Sequence, residues 1–143
     1  MLMQKMTEEK AALENPVTLA FLGDAVFSLF VREKLVLSKT GKAADFQRAA
    51  SRVESARGQS AFVERVLPLF TETENAVYHR GRNAKKATKS KNASAGEYSR
   101  STGFEAVLGY LYLTGNYERV NELLSFLDEE DLQGRAAEKV YKP

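Results

Sequence analysis

Residues Thr18–Leu35 read TLAFLGDAVFSLFVREKL, and this stretch decides the fold that the sequence predicts. Apolar residues recur in it every three or four positions, which indicates one wide apolar face of a helix and not the two-residue alternation of a strand. The preceding Asn15-Pro16 is typical of a helix start, because Asn caps the first turn and Pro lacks only an N–H that would be unpaired there. Gly23 and Asp24 interrupt the apolar face, although Gly costs about 1 kcal/mol in a helix relative to Ala. These two residues therefore need an explanation beyond helix formation.

Helical spacing continues along the rest of the chain and predicts an all-α protein. The Ala-rich stretch over residues 43–70 forms two helices or one bent helix, divided near Gly58. Thr71 and Glu74 have the spacing of a capping box at the start of a shorter helix. A long apolar helix follows and is interrupted around Gly115, and the acidic end of the sequence is either a final helix or a frayed tail. Neither internal repeats nor alternating Val/Ile/Thr runs between hairpin turns occur in the sequence.

The length and composition indicate one globular domain. With 143 residues, of which 43% are hydrophobic and 28% charged, the chain is long enough for a core but short for a catalytic domain plus a second module. It has no Cys, which excludes disulfides and Cys-ligated zinc or iron. Its first residues lack the apolar run of a signal peptide, and no apolar stretch approaches the ~20 residues of a membrane span. We therefore expect residues 1–143 to form a single cytoplasmic domain that has no membrane association.

A basic segment is hidden by the small net charge of +2. Between residues 80 and 100, Glu97 is the one acidic residue, whereas seven residues are basic. Such a segment on a mildly acidic body is typical of a surface that binds a polyanion. A solvated loop whose lysines only aid solubility is the alternative. The basic residues are Arg80, Arg82, Lys85, Lys86, Lys89, Lys91 and Arg100.

Two apolar helices each carry one carboxylate among apolar neighbours, Asp24 in the first and Glu105 in the second. Each acid has a glycine near it, where a backbone or a ligand can approach closely. Two buried acids repel each other unless they are protonated or share a cation, and oxygen-only ligation favours Mg²⁺ or Mn²⁺. Alternatively, each acid caps a neighbouring helix or pairs with an Arg elsewhere. The residues alone leave both explanations open.

Both acidic helices resemble motifs of the ribonuclease III family. Phe21–Val26 read FLGDAV, which matches the core of that family's signature helix, written E-x-L-E-F-L-G-D-A-V-L. The stretch TGFEAVLGYLYL is similar to the family's second acidic helix, written D-x-F-E-A-L-x-G-A-x-Y-L-D. The resemblance covers about Asn15 to Leu127, and we therefore expect no separate double-stranded-RNA-binding domain. It is strongest to the compact bacterial branch, Mini-ribonuclease III, which is associated with maturation of large-subunit (23S) ribosomal RNA.

The resemblance implies a fold, a reaction and a site. The fold would be the helical bundle of the ribonuclease III endonuclease domain, and the reaction would be metal-dependent hydrolysis of double-stranded RNA to 5′-phosphate and 3′-hydroxyl products. Asp24 and Glu105 fall on catalytic, metal-binding positions, with Mg²⁺ as the expected ion and Mn²⁺ as a possible one. Two further carboxylates of the family are missing, because their positions fall on Ala20 and Thr102. Thr102 is left as a candidate for holding a metal-bound water.

The resemblance also implies an RNA-binding segment and a homodimer. Duplex RNA is held mainly through phosphates and 2′-hydroxyls, for which the basic segment is suited. The predicted RNA-binding residues are Arg80, Arg82, Lys85, Lys86, Lys89 and Lys91, with Arg48, Arg52 and Arg57 as a second possible strip. Family members pair through their signature helices, which predicts Phe21 and Gly23 at the dimer interface, where Gly23 permits close packing. Two sites related by a two-fold axis would then face the two strands of precursor ribosomal RNA.

Two other functions remain as alternatives. A catalytically silent ribonuclease III-like scaffold that binds RNA or associates with the ribosome is favoured by the lost carboxylates at Ala20 and Thr102. A helical protein-interaction adaptor with a basic segment would require that both motifs arose by accident. Mg²⁺-dependent cleavage of duplex RNA, compared between the wild type and Asp24→Asn, separates an enzyme from both alternatives.

Overall fold

The computed structural model of the protein describes residues 4–38, 43–84 and 93–133, without the side chains of residues 43 and 44. Helices dominate these residues and no strand occurs among them, which confirms the all-α prediction. Along the chain the α-helices are α1 (Glu8–Leu13), α2 (Pro16–Ser38), α3 (Ala43–Glu54), α4 (Ala56–Val66), α5 (Glu72–Asn83), α6 (Ala95–Leu113), α7 (Tyr117–Leu124) and α8 (Glu129–Gln133). A single 3₁₀ turn, Leu67–Leu69, joins α4 to α5.

Most helix boundaries lie where local sequence signals place them. Asn15 Oδ1 accepts a hydrogen bond from the N–H of Val17 at 2.8 Å, so Asn15 caps α2 as predicted. The Thr71–Glu74 capping box is present at the start of α5, and Gly115 ends the α6 region with a φ of 77°, a conformation that favours glycine. The short helix α1 was not predicted by the sequence pattern. For the acidic end, the structure bears out the final helix among the two alternatives, as α8.

The division between α3 and α4 was predicted at the wrong residue. The break falls at Ser55, whose side chain accepts a hydrogen bond from the N–H of Gly58 at 3.0 Å and thereby caps α4. Gly58 lies inside the first turn of α4, where a Cβ atom would stand 2.4 Å from the carbonyl oxygen of Arg52. Gly58 thus allows the two helices to pack closely and does not separate them.

An aromatic cluster joins the three helices that surround the candidate site. Phe27 of α2, Phe62 of α4 and Phe104 of α6 are almost fully buried. Their ring centroids lie 5.4 to 6.2 Å apart, and two of the three pairs meet edge to face. Such pairs contribute about 0.5–1.5 kcal/mol each beyond the area that they bury. The cluster therefore fixes α2, α4 and α6 relative to one another.

Two glycines allow α2 and α6 to cross at backbone contact. A Cβ atom at Gly23 would lie 1.7 Å from the carbonyl oxygen of Glu105, and one at Gly109 would lie 1.9 Å from that of Leu19. Neither position has room for a side chain. Gly23 is buried in this crossing, where it packs closely against α6 of the same chain, and its predicted place at a dimer interface stays a prediction. No helix in the described part of the chain is long and apolar enough to cross a membrane.

Candidate active site

The crossing of α2 and α6 brings Asp24 and Glu105 together. Gly23 contacts the backbone of Glu105, so the next residue of α2, Asp24, lies beside the Glu105 side chain, close enough for the protonated carboxyl group of Glu105 to hydrogen-bond to Asp24. The exposure of the two residues differs. Glu105 is largely buried, whereas Asp24 is exposed, so the prediction that both acids are buried was wrong for Asp24. The exposed edge of the pair leaves it open to a ligand from solvent.

The Glu105 carboxyl group holds its proton strongly in this arrangement. Burial raises its pKa to about 8, and the hydrogen bond and negative charge of Asp24 act in the same direction, whereas a hydrogen bond from Gln59 opposes them. At neutral pH Glu105 therefore keeps its proton. A divalent cation is the other species that relieves the repulsion between two adjacent carboxylates, so the pair is suited to binding one.

Gln59 of α4 is a site residue that the sequence pattern did not reveal. Its Nε2 donates to Glu105 Oε2 at 3.2 Å and to the carbonyl oxygen of Glu54 at 2.9 Å. The side chain is 2% exposed, and its Oε1 is buried with no hydrogen-bond partner in the described residues. One signal in the sequence was available, since an amide in an otherwise apolar, Ala-rich helix face is unusual.

An open cavity of about 360 Å³ adjoins Asp24 between α2 and α3. Its volume equals that of about twelve water molecules at roughly 30 Å³ each, enough for a hydrated ion and a phosphate group. Glu54 also lines the cavity and adds a second acid that the sequence reasoning did not single out. The lining residues are Asp24, Arg32, Gln47, Ala50, Ser51, Glu54 and Ser55.

The two positions that lack a family carboxylate are buried. Ala20 is 5% exposed and Thr102 is 6% exposed. Thr102 Oγ1 donates its proton to the carbonyl oxygen of Tyr98 at 3.0 Å, one turn back in α6. Its hydroxyl proton is therefore used within its own helix, and only the lone pairs of Oγ1 are left to accept a hydrogen bond from a metal-bound water, so that contact stays a prediction.

The residues present fit a divalent ion that keeps most of its own water. Within residues 4–38, 43–84 and 93–133, no group of three or more His, Cys, Asp or Glu side chains is placed to hold a metal. The donors available are the carboxylate oxygens of Asp24 and Glu105, which are hard ligands. Mg²⁺ is commonly held by one or two carboxylates together with water and substrate phosphates, and the open cavity provides room for both.

The predicted RNA-binding residues divide into two groups. Lys85, Lys86, Lys89 and Lys91 lie outside the described residues. Arg80 and Arg82 lie at the exposed end of α5 and already make contacts within the chain. The Arg80 guanidinium donates to the carbonyl oxygens of Ala12 and Glu14, which fixes the connection between α1 and α2. Arg82 lies over the ring of Tyr78, 5.9 Å from its centroid.

Two residues of the alternative arginine strip already contact neighbours within the chain. Arg48 pairs with Asp45, and Arg52 donates to the carbonyl oxygen of Leu132 in α8 at 2.6 Å. Arg57 is exposed on α4. The three residues therefore do not form one uniform strip, because two of them stabilise local structure.

Phe21 is an aromatic residue of α2 that lies outside the hydrophobic core formed by the described residues. Its side chain is 83% exposed, and Val17, four residues earlier on the same helix face, is 38% exposed. Asp24 follows three residues later and lies next to this apolar surface on the helix. A partner that covered Phe21 would therefore stand beside the carboxyl pair.

Comparison with known proteins identifies the family. Residues 17–116 match the family described as Ribonuclease III domain. Mini-ribonuclease 3 of Symbiobacterium thermophilum is 47% identical over 109 residues, which cover 76% of this chain and 84% of that protein. Mini-ribonuclease 3 of Streptococcus pneumoniae is 42% identical over 116 residues, covering 80% and 91%. A Fusobacterium nucleatum protein of known crystal structure superimposes with a TM-score of 0.72 at 25% identity, covering 79% of this chain and 90% of that one.

The fold, the paired carboxyl groups and these matches agree with one another. The chain belongs to the ribonuclease III family. Within that family, its similarity to the Mini-ribonuclease 3 proteins extends over most of its length, as the two acidic motifs had indicated.

Proposed function

We propose that this chain is a metal-dependent endoribonuclease of the ribonuclease III type that cleaves double-stranded RNA. The observation that carries the proposal is the carboxyl pair of Asp24 and Glu105, which the glycine-permitted crossing of α2 and α6 holds together, with Asp24 lining an open cavity. A bound Mg²⁺ or Mn²⁺ ion would activate water for attack and neutralise the charge that builds up on the phosphate. Products with a 5′-phosphate and a 3′-hydroxyl follow from the family resemblance.

The two acids have different tasks in this proposal. Asp24 is exposed and accessible to an ion and to a phosphate arriving from solvent. Glu105 is held more rigidly because it is largely buried and is contacted by Gln59. Glu105 must release its proton before its carboxylate can accept a cation, so ion binding releases a proton and becomes more favourable as the pH rises towards 8.

Basic residues support an RNA duplex as the substrate, and an exposed aromatic side chain supports a dimer. The lysines between α5 and α6, together with Arg80 and Arg82, would hold the phosphates of a duplex. The exposed Phe21 supports a homodimer that sets one site against each strand. We propose precursor 23S ribosomal RNA as the natural substrate, which the resemblance to the Mini-ribonuclease III branch implies and the similarity to Mini-ribonuclease 3 proteins supports. This substrate implies action in the cytoplasm.

Cleavage of a labelled RNA duplex in Mg²⁺ tests the proposal. Asp24→Asn and Glu105→Gln remove charge with little change of volume, so each should abolish cleavage while duplex binding in EDTA persists. Glu33→Gln, which removes an exposed charge elsewhere on α2, is the matched control and should cleave as the wild type does. Near-normal turnover in either site variant would refute the site. A wild type that binds duplex RNA but does not cleave it in Mg²⁺ or Mn²⁺ would favour the silent scaffold.

A further inference from the structure

Gln59 is a buried amide beside the carboxyl pair. Its side chain is 2% exposed, so bulk water does not satisfy its polar atoms. The two N–H groups of Nε2 have two acceptors, Glu105 Oε2 at 3.2 Å and the carbonyl oxygen of Glu54 at 2.9 Å. The donor capacity of the amide is therefore fully used, and one of its two bonds goes to a site carboxyl group.

The surroundings fix the orientation of this amide. If the amide were flipped, its carbonyl oxygen would face two acceptors, the Glu54 carbonyl and the Glu105 carboxyl group, and neither contact would be a hydrogen bond to the ionised acid. In the observed orientation Oε1 is buried without a partner in the described residues. The observed orientation thus leaves the Gln59 carbonyl oxygen without a hydrogen bond and directs Nε2 at Glu105.

Packing alone does not explain a glutamine at this position. A buried acceptor without a hydrogen bond destabilises the folded state, and an apolar side chain of similar size avoids that cost. The backbone of α4 near Gln59 is held by the Ser55 cap and by Phe62, which packs against Phe27 and Phe104. Nε2 therefore projects from a rigid element, as a group that orients another side chain requires.

We propose that Gln59 is a positioning residue, which holds the Glu105 carboxylate through Nε2 in the orientation that binds a divalent cation together with Asp24. The inference rests on the proposed function, since it concerns the same site. Groups that hydrogen-bond to metal ligands restrict the ligand's rotation, and their loss typically weakens metal affinity or activity by about 10–100-fold. Gln59 is not expected to touch RNA or the reacting phosphate.

The test is Mn²⁺ binding to the RNA-free protein, measured by isothermal titration calorimetry on the wild type and on Gln59→Leu. We expect the dissociation constant for Mn²⁺ to rise about 10–100-fold in the variant. The Mg²⁺ concentration for half-maximal cleavage should rise by a similar factor, while KM for the duplex at saturating Mg²⁺ stays unchanged. The midpoint of thermal unfolding in EDTA should change little, because the variant removes the unsatisfied Oε1 but also the donor to the Glu54 carbonyl oxygen.

Two further variants make the result decisive. Ser60→Ala removes the neighbouring buried polar group of α4, which accepts a bond from Arg100 Nε at 2.7 Å and not from the site, so it should bind Mn²⁺ as the wild type does. Gln59→Met keeps the side-chain length and replaces Gln59→Leu if the latter does not fold. Unchanged Mn²⁺ affinity in the folded Gln59 variant overturns the inference. Weaker binding that parallels a fall in the unfolding midpoint also overturns it, because the role would then be structural.

The same measurements separate this inference from the function on which it rests. If the wild type binds no Mn²⁺, or if Asp24→Asn binds it equally well, the metal site itself is wrong. If Asp24→Asn loses binding while Gln59→Leu keeps it, the site stands and only the role of Gln59 is refuted.

Discussion

Glu105→Gln should make the metal-free protein more stable while it destroys cleavage. Ionisation of Glu105 destabilises the folded state, since burial and the adjacent Asp24 raise the pKa of its carboxyl group from 4.5 to about 8. A glutamine in its place carries no charge, accepts from Gln59 with its oxygen and donates to Asp24 with its nitrogen. It therefore imitates the protonated acid at every pH.

The size of the effect follows from the two pKa values. One pKa unit corresponds to about 1.4 kcal/mol, so complete ionisation of Glu105 above pH 8 costs the folded state about 5 kcal/mol, and at pH 7 the cost is about 3 kcal/mol. Because the folded-state pKa is raised, the associated stability is fully present below pH 4.5 and is lost as the pH rises through about 8. Total stabilities of about 5–15 kcal/mol make such a difference easily measurable.

Urea denaturation in EDTA at pH 5, 7 and 8.5 measures it. The free energy of unfolding of Glu105→Gln relative to the wild type should rise across this range, by about 3 kcal/mol at pH 7. Mn²⁺ should stabilise the wild type at pH 8.5 and have little effect on the variant, because an ion offsets only the repulsion between two carboxylates. The control Glu33→Gln should follow the wild-type pH profile. Parallel profiles for the wild type and Glu105→Gln would refute the reasoning.

Three other predictions address the crossing, the partner surface and the basic segment. Gly23→Ala places a Cβ 1.7 Å from the Glu105 carbonyl oxygen and forces α2 and α6 apart. The free energy of unfolding should therefore fall by about 3 kcal/mol or more, and an unaltered urea midpoint would contradict this prediction. Phe21→Ala should leave the monomer fold intact and weaken the dimer about a thousandfold, at about 2 kcal/mol per copy; a wild type that sediments as a monomer at micromolar concentration would contradict this. Replacing Lys85, Lys86 and Lys89 by Gln should reduce the salt slope of duplex binding by roughly 0.7–0.9 per lost phosphate contact, with the same cleavage sites, and an unchanged slope would show that these lysines do not hold the RNA.

The sequence by itself determined the helical fold and the identity of the two acids. Helical periodicity and caps depend on residues a few positions apart, so Asn15 and the Thr71–Glu74 box were readable without coordinates. The two family motifs were equally local, and they named Asp24 and Glu105. Where competing signals lay close together, as at Ser55 and Gly58, the predicted boundary was wrong because only packing shows that Gly58 faces the end of α3.

Only the tertiary structure decided how these pieces form a site. Gly23 contacts Glu105 from more than eighty positions away along the chain, and no pattern within α2 reveals whether a small residue faces a helix of its own chain or of a second copy. The same long-range crossing leaves Asp24 exposed, buries most of Glu105 and brings Gln59 within hydrogen-bond distance of it. Burial and pKa depend on neighbours contributed by three separate helices, so they are set by how the helices pack and not by the order of residues in any one of them.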